Sequence, residues 1–564
     1  MLEEQLAIES PDPIANEETE LIADWETLQH IFISPENEET KIVLVKYMEQ
    51  ILFGLHDFLK KHVGISEEIS LKKLSNDFEN SLINRNPQKK LADVIQDIIE
   101  NIAPHAVNVA SPYFIGHMTS AIPFFMIHLN AIVAALNQNL VKLETSKVVS
   151  VLEKQVIAKI HRLIYNDNEA FYHKHIQNPD STLGVFISGG TLANVTALWV
   201  ARNAFFKPKG DFLGIEKEGI LAAYQAYDVE RCVILVSQLG HYSLWKVGGV
   251  LGIGNKNILP IDIDNNNTID LNKLRSTIQT LQKSPCKTKI LAVIGIAGAT
   301  ETGTVDPLSD MADICAEQGI HFHVDAAWGG PTLLSDKYRH LLAGIERADS
   351  VTIDGHKQFY MPMGCGMVYF KDPYILDNVA YHAAYVNRVG SVDLGIHSLE
   401  GSRPAHSLIL SSALEIMGGR GYALLVDHGI EIAREFAKEI QRRPLFQLVT
   451  PPQLNILTYS FFPEHIRKLW HKADFQQRKT LMQEMDRINC IVQRLQREAG
   501  KSFVSRTTLR RPTYLGGDRG VLRSVIMNPM TNMDIIREIL DEQEEIYYSL
   551  AEKSYEAFEF LAQG

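Results

Sequence analysis

Hydrophobic spacing divides the chain into regions of different character. Between 38 and 62 the apolar residues Ile42, Val45, Met48, Ile51, Leu52 and Leu55 recur at helical intervals, which predicts a helix. A second helix is predicted over 90–102, ended by Pro104. Residues 1 to about 40 are acidic and weakly patterned, and read as a mobile or loosely docked arm. From 111 to 395 short apolar runs alternate with helical patterns. Strands are predicted at 184–187, 232–236, 290–296 and 320–324, and helices at 192–205 and 308–318. Such alternation implies a mostly parallel sheet covered on both faces, with ligands at the carboxyl ends of its strands. Beyond 400 the text becomes long helices at 407–417, 428–443 and 476–497 around a strand at 455–462. It closes with a strand at 522–527 and a helix from Met533, and this part reads as a smaller α+β domain.

The bulk numbers narrow the partners. A chain of 564 residues is too long for one core, so two or three domains are expected. The expected division is 1–108 (acidic arm and helices), 109–398 (large domain) and 399–564 (small domain). A net charge of −13 argues against nucleic acid or an anionic membrane as the main partner. The start, Met1-Leu2-Glu3-Glu4-Gln5, lacks the basic, apolar pattern of a signal peptide. No apolar run reaches the roughly 18 residues of a membrane span, so none is expected. The five cysteines are scattered without a C-x-x-C pair, which fits reduced thiols in the cytoplasm.

The most specific text is His323-Val324-Asp325-Ala326-Ala327-Trp328-Gly329-Gly330, followed by Asp354-Gly355-His356-Lys357. Alone, Asp325 reads first as a cap or loop carboxylate, and a lone lysine as a solvated charge. Apolar, Gly-rich surroundings set Lys357 apart and favour a free amine there. Because His321, His323 and Asp325 alternate, they share one face of a strand; a metal site is a rival reading, and no metal is expected because no further ligand cluster is obvious. Ser188-Gly189-Gly190-Thr191 follows a strand and opens a helix, a place where free N–H groups receive phosphate, although Gly-rich turns before helices are common. His241 stands in the loop after the 232–236 strand, and Thr300 in Ala297-Gly298-Ala299-Thr300-Glu301-Thr302-Gly303.

Taken together, these segments resemble the group II pyridoxal-phosphate decarboxylases, which include the glutamate, aspartate and aromatic amino acid decarboxylases. The resemblance spans roughly 105 to 540. It implies the α/β fold type I of pyridoxal-phosphate enzymes (aspartate aminotransferase-like), and pyridoxal 5'-phosphate as cofactor. It gives Lys357 the covalent link to the cofactor. Asp325 receives the pyridine nitrogen, and Gly190 and Thr191 the phosphate. Ala327 and His241 take the two ring faces, with Thr300 and His356 as further contacts. Tyr385, in Tyr381-His382-Ala383-Ala384-Tyr385, matches a mobile-loop tyrosine that protonates the substrate Cα. The stretch 386–403, with three glycines, then reads as a lid, and a buried or interface tyrosine is the plainer reading of Tyr385.

Arg523 matches the arginine that grips a substrate carboxylate through its planar fork, a structural ion pair being the alternative. The segments Gly116-His117-Met118-Thr119-Ser120, Leu136-Asn137-Gln138-Asn139 and His356-Lys357-Gln358-Phe359-Tyr360 are similar to the bacterial pyridoxal-dependent aspartate 1-decarboxylases, which make β-alanine for pantothenate. His117 stands where animal glutamate decarboxylases carry an Asn-Gln pair in a substrate-contacting segment. Aspartate is therefore the expected substrate, glutamate or cysteine sulfinate the near alternative, and another reaction of the same cofactor, such as transamination, the more distant one. The resemblance further implies a homodimer with its sites at the subunit interface and the 38–62 helix among its contacts.

Overall fold

Seven short apolar segments pair into the sheet that organises the large domain. The computed structural model describes residues 38–60, 71–383, 391–510 and 518–562. The strands are β1 (Gly184–Ile187), β2 (Arg231–Ser237), β3 (Ile258–Ile261), β4 (Thr288–Ile296), β5 (His321–Asp325), β6 (Ser350–Asp354) and β7 (Gly366–Phe370). Their order is β1-β7-β6-β5-β4-β2-β3. Only β7 runs against its neighbours; the pairs β2·β3, β2·β4, β4·β5 and β5·β6 are parallel.

Burial on both faces explains the nearly continuous apolar strands. In β2, Val233 and Leu235 enter one core, while Cys232, Ile234 and Val236 enter another on the opposite face. The helix Gly190–Phe205 covers the second face with Ala193, Ala197 and Val200 fully buried.

The predicted strands 184–187, 232–236, 290–296 and 320–324 are present with bounds shifted by at most two residues. Strands β3, β6 and β7 were not legible. β6 carries Ser350, Thr352 and Asp354 in alternation, all buried, so its text is too polar for an interior strand. The predicted helices 407–417 and 428–443 are one element, His406–Arg442, interrupted at Gly418 where φ is 63°. By length and composition this helix could cross a membrane, contrary to the expectation that no such segment exists. It instead buries Ile409, Leu410, Tyr422, Val426 and Phe436 in the cores.

A second sheet, β10-β11-β9-β8, is antiparallel throughout and consists of β8 (Phe446–Thr450), β9 (Ile456–Phe461), β10 (Ser505–Arg510) and β11 (Asp518–Val525). The helices Phe475–Ala499 and Met533–Ala562 pack with it around Tyr459, Phe461, Val492 and Ile539.

Residues Met1–Asn108 form a separate compact unit from Val109–Gly564. Within the first, the helix Glu38–Lys60 contains Gly54, whose missing side chain admits Ile99; a Cβ there would lie 2.3 Å from Ile99 Cδ1. The helix expected over 90–102 is α-helical over Leu91–Asp97 and widens to a π-turn over Ile98–Ile102. The arm predicted over 1–40 lies almost wholly outside the described residues.

Candidate active site

The carboxyl ends of β1, β2, β4, β5 and β6 open on one cavity of about 380 Å³. Its wall includes Gly190, Thr191, His241, Thr300, Asp325, Ala327, His356 and Lys357. Eight positions picked out in sequence, scattered over more than 160 residues, thus face one space.

One end of the cavity is the start of the Gly190–Phe205 helix. Ala193 N–H bonds to the Gly189 carbonyl at 3.0 Å, which leaves the N–H groups of Gly190, Thr191 and Leu192 without helical acceptors. Glycine is required at 190: a Cβ there would sit 2.7 Å from Asp354 Oδ2. Ser188 donates both its N–H, at 3.0 Å, and its hydroxyl to Glu400. That acid belongs to a segment the sequence read as a lid. In its described part, 391–403, Asp393 accepts from Leu143 N–H at 2.8 Å, and Arg403 pairs with Glu153 in the interior.

The floor is Asp325, at the tip of β5 and 7% exposed. Asn194 Nδ2 donates to its Oδ2 at 2.9 Å, and the Ala327 N–H to its Oδ1 at 3.2 Å. Behind it, His323 Nε2 meets Asn194 Oδ1 at 3.0 Å, while His323 Nδ1 and His321 Nε2 meet Ser350 Oγ at 2.9 and 2.8 Å. The face shared by His321, His323 and Asp325 is therefore a hydrogen-bond relay. Among the described residues no group of three His, Cys, Asp or Glu is arranged to hold a metal. Burial pushes the His323 imidazole well below its ordinary range, against the pull of Asp325, so the ring is neutral.

Lys357 Nζ lies 3.1 Å from Asp354 Oδ2, and the other oxygen of that buried carboxylate has no hydrogen-bond partner. The expected apolar setting of the lysine thus contains an acid. His356 Nδ1 is tied to the Cys365 carbonyl at 2.7 Å. His241 Nδ1 meets Ser243 Oγ at 2.8 Å, and burial, opposed by Asp325, pushes its pKa down.

Arg523, on β11, is 6% exposed and sits against Thr300. Its Nε donates to the Thr300 carbonyl at 2.6 Å, and its Nη1 to the Gly116 carbonyl at 3.2 Å and Ser505 Oγ at 3.3 Å. The planar fork anticipated for this arginine is therefore used on the protein; only Nη2 is buried without a partner. Burial lowers its pKa to about 10, with Glu301 pulling the other way. His117 Nδ1 lies 3.4 Å from Thr119 Oγ1, and burial followed by the charges of Arg523 and Lys357 pushes its pKa down. His117 and Arg523 stand outside the set that lines the cavity. Tyr385 lies outside the described residues.

Sequence reasoning missed Asn194, Asp354, Glu301 and Glu400. A signal existed for Asn194, a polar residue inside an apolar helix, and for Asp354, one turn before the lysine.

An amine, a pinned carboxylate and a helix start, all facing one cavity, fit a flat, phosphate-bearing pyridine aldehyde: the unpartnered Asp354 oxygen and the space kept by Gly190 leave room beside the lysine. The architecture is that of the fold type I pyridoxal-phosphate enzymes, as in the structure of Oryza sativa TDC with PLP and tryptamine (TM-score 0.76, 17% identity, 92% of this chain and 100% of that one). A family model described as "Pyridoxal-dependent decarboxylase conserved domain" matches residues 76–461, and the chain belongs to that family. Pyridoxal 5'-phosphate is accordingly its cofactor, and amino acid decarboxylation its chemistry. Its relatives include an aspartate 1-decarboxylase of Aliivibrio fischeri, 43% identical over 93% of this chain and 95% of that one. An acidic amino acid decarboxylase of Bos taurus is 26% identical over 69% and 70%.

Proposed function

We propose that this enzyme removes the α-carboxyl group of L-aspartate, releasing CO2 and β-alanine. The observation that carries the reading is the 43% identity with the Aliivibrio fischeri protein over nearly the full length of both chains. A buried arginine with one uncommitted nitrogen beside the cavity supports an acidic substrate.

Each residue then has a role. When bound, the cofactor supplies an electron sink for the pair left on Cα as the bond to the carboxyl carbon breaks. Lys357 carries the cofactor, and Asp354 is the counter-ion of its amine. Gly190 and Thr191 hold the phosphate through the N–H groups of the helix start. Asp325 keeps a proton on the pyridine nitrogen through a charge-assisted hydrogen bond worth roughly 1.5–3 kcal/mol. Asn194 and the Ala327 N–H hold that carboxylate in place. Ala327 and His241 would pack against the bound ring, and Thr300 and His356, which line the same cavity, would be further contacts. Arg523 and His117 receive the substrate. The proton returned to Cα is assigned to Tyr385.

The same reading makes the working form a cytoplasmic homodimer with its sites at the subunit interface. Supporting it, the helix Phe124–Leu136 leaves Phe124, Ile127, Ile132 and Leu136 exposed, and Glu38–Lys60 does so with Val45, Leu52 and Phe53. The five free thiols are in keeping with a reducing compartment.

The test is one assay of the holoenzyme on aspartate, glutamate and cysteine sulfinate side by side. The highest kcat/KM on aspartate, with β-alanine and CO2 in equal amounts, is expected. One methylene is worth only about 1–3 kcal/mol in a pocket, so a preference of roughly 10- to 200-fold is the scale to look for. A preference for either other acid overturns the substrate, and a keto acid product overturns the reaction.

A further inference from the structure

Lys357 stands three residues past Asp354, the last residue of β6, and Asp325 ends the neighbouring strand β5. Beyond these strand ends a closed ring of three hydrogen bonds joins the turns that follow. Trp328 Nε1 donates to Asn455 Oδ1 at 2.9 Å, Asn455 Nδ2 to Gln358 Oε1 at 3.3 Å, and Gln358 Nε2 to the Trp328 carbonyl at 2.8 Å. Gln358 follows Lys357 directly, and Trp328 follows Ala327. All three residues are buried, at 2–3% exposure. A buried amide is costly to leave unpaired, so a satisfied ring of this kind fixes one arrangement of its members. Its third member comes from elsewhere: Asn455 lies just before β9 of the second sheet. Asn455 Nδ2 also donates to the Ile526 carbonyl at 2.9 Å, and Tyr360 Oη donates to the next carbonyl, that of Met527, at 2.6 Å. Residues 526 and 527 continue β11, the strand of Arg523. Tyr360 N–H closes the lysine turn on the Lys357 carbonyl at 2.8 Å, and its φ of 56° is a left-handed conformation that bulky residues rarely adopt. Such a backbone persists where its surroundings over-determine it, and the buried bonds to two consecutive carbonyls supply that constraint.

We propose that Gln358, Asn455 and Tyr360 are positioning residues for the cofactor. They fix the Lys357 turn against the end of β5, so that the amine and Asp325 keep the separation that the pyridine ring spans. The proposal rests on the reading that Lys357 carries the cofactor and Asp325 meets its ring nitrogen. None of the three lines the cavity; they act through Lys357 and Trp328, which do. The second sheet, through residues 526 and 527, then sets where the lysine stands.

The test compares wild type, Gln358→Met and Tyr360→Phe, each loaded with pyridoxal 5'-phosphate and quantified by its bound cofactor. Gln358→Met keeps length and volume and deletes both amide bonds. Tyr360→Phe deletes one hydroxyl and keeps the backbone. Measured are kcat and KM for aspartate per loaded site, the dissociation constant of the cofactor, and the pH profile of its visible band, which reports the surroundings of the ring without turnover. Misplacing reacting groups by an ångström costs about 10²-fold, so Gln358→Met is expected to lower kcat by roughly 10- to 10²-fold with KM within about twofold. It is also expected to weaken the cofactor by about fivefold or more and to move the midpoint of the band by about half a pH unit. Tyr360→Phe is expected to change the same quantities in the same direction, with kcat down about threefold, and it decides the matter if Gln358→Met fails to take up cofactor. Wild-type kcat per loaded site and an unmoved band in the variants would overturn the proposal, even if both melt at lower temperature, and so would a change confined to KM. Borohydride reduction of the wild type that leaves no cofactor on Lys357 would instead overturn the reading of that lysine, and this inference with it.

Discussion

Asp325 can serve a ring nitrogen only if its own oxygens are held still. Both are: one accepts from Asn194 and the other from the Ala327 N–H, and a neutral His323 braces Asn194 from behind. A carboxylate fixed by donors stays aimed at a developing charge, the arrangement that makes preorganised electrostatics effective. Asp325→Asn removes the negative charge while nearly preserving shape. It is expected to lower kcat by roughly 10²-fold or more with little change in KM, read from steady-state kinetics of the loaded enzyme. An unchanged kcat would remove Asp325 from the chemistry. At this scale the sequence was informative about residue type and face and uninformative about partners. The period of two in His321, His323 and Asp325 placed them together. Asn194, 131 positions before Asp325, decides that they form a relay, and no local pattern points across such a distance. Arg523 shows the same limit: its identity was legible, but not the commitment of Nε and Nη1 to protein acceptors.

Elements matter here for where they end. The Gly190–Phe205 helix begins against the tip of β6, so that its unsatisfied N–H groups and Asp354 share one corner with Lys357. Close approach of the two is the reason for Gly190. Gly190→Val would push the helix start from Asp354, and the dissociation constant for pyridoxal 5'-phosphate is expected to rise about tenfold or more, or some 1.4 kcal/mol. Titration of the cofactor-free variant by absorbance checks this, and wild-type affinity would contradict it. Strands with uniform apolar text, such as β2 and β4, were legible from the sequence because each is buried on both faces. β6 was not, because its alternating polar residues are all buried, and Ser350 and Asp354 find their partners only once the neighbouring elements are in place. The joining of two helical runs into His406–Arg442 was equally hidden: a turn at Gly418 looks in sequence like a boundary.

For the molecule as a whole, the unburied apolar side chains are the open account. A 13-residue helix, Phe124–Leu136, with only Met126 and Val133 buried is hard to reconcile with a surface left in water. A homodimer is therefore expected by light scattering at micromolar concentration. Charged substitutions at Phe124 and Ile132 are expected to give a monomer with much reduced activity, whereas a fully active monomeric wild type would contradict the assembly. The net charge and the scattered cysteines say nothing of this surface, and the apolar text of 124–136 reads equally as core; only burial in the structure separates the two. The central claim is narrower, namely that the amine of residue 357 carries the cofactor in the cavity floored by Asp325. Borohydride reduction of the loaded enzyme, followed by peptide mass spectrometry, tests it most directly. The reduced cofactor's mass is expected on Lys357, and no such adduct in Lys357→Ala. An adduct on a different lysine, or the same yield in the variant, would contradict it.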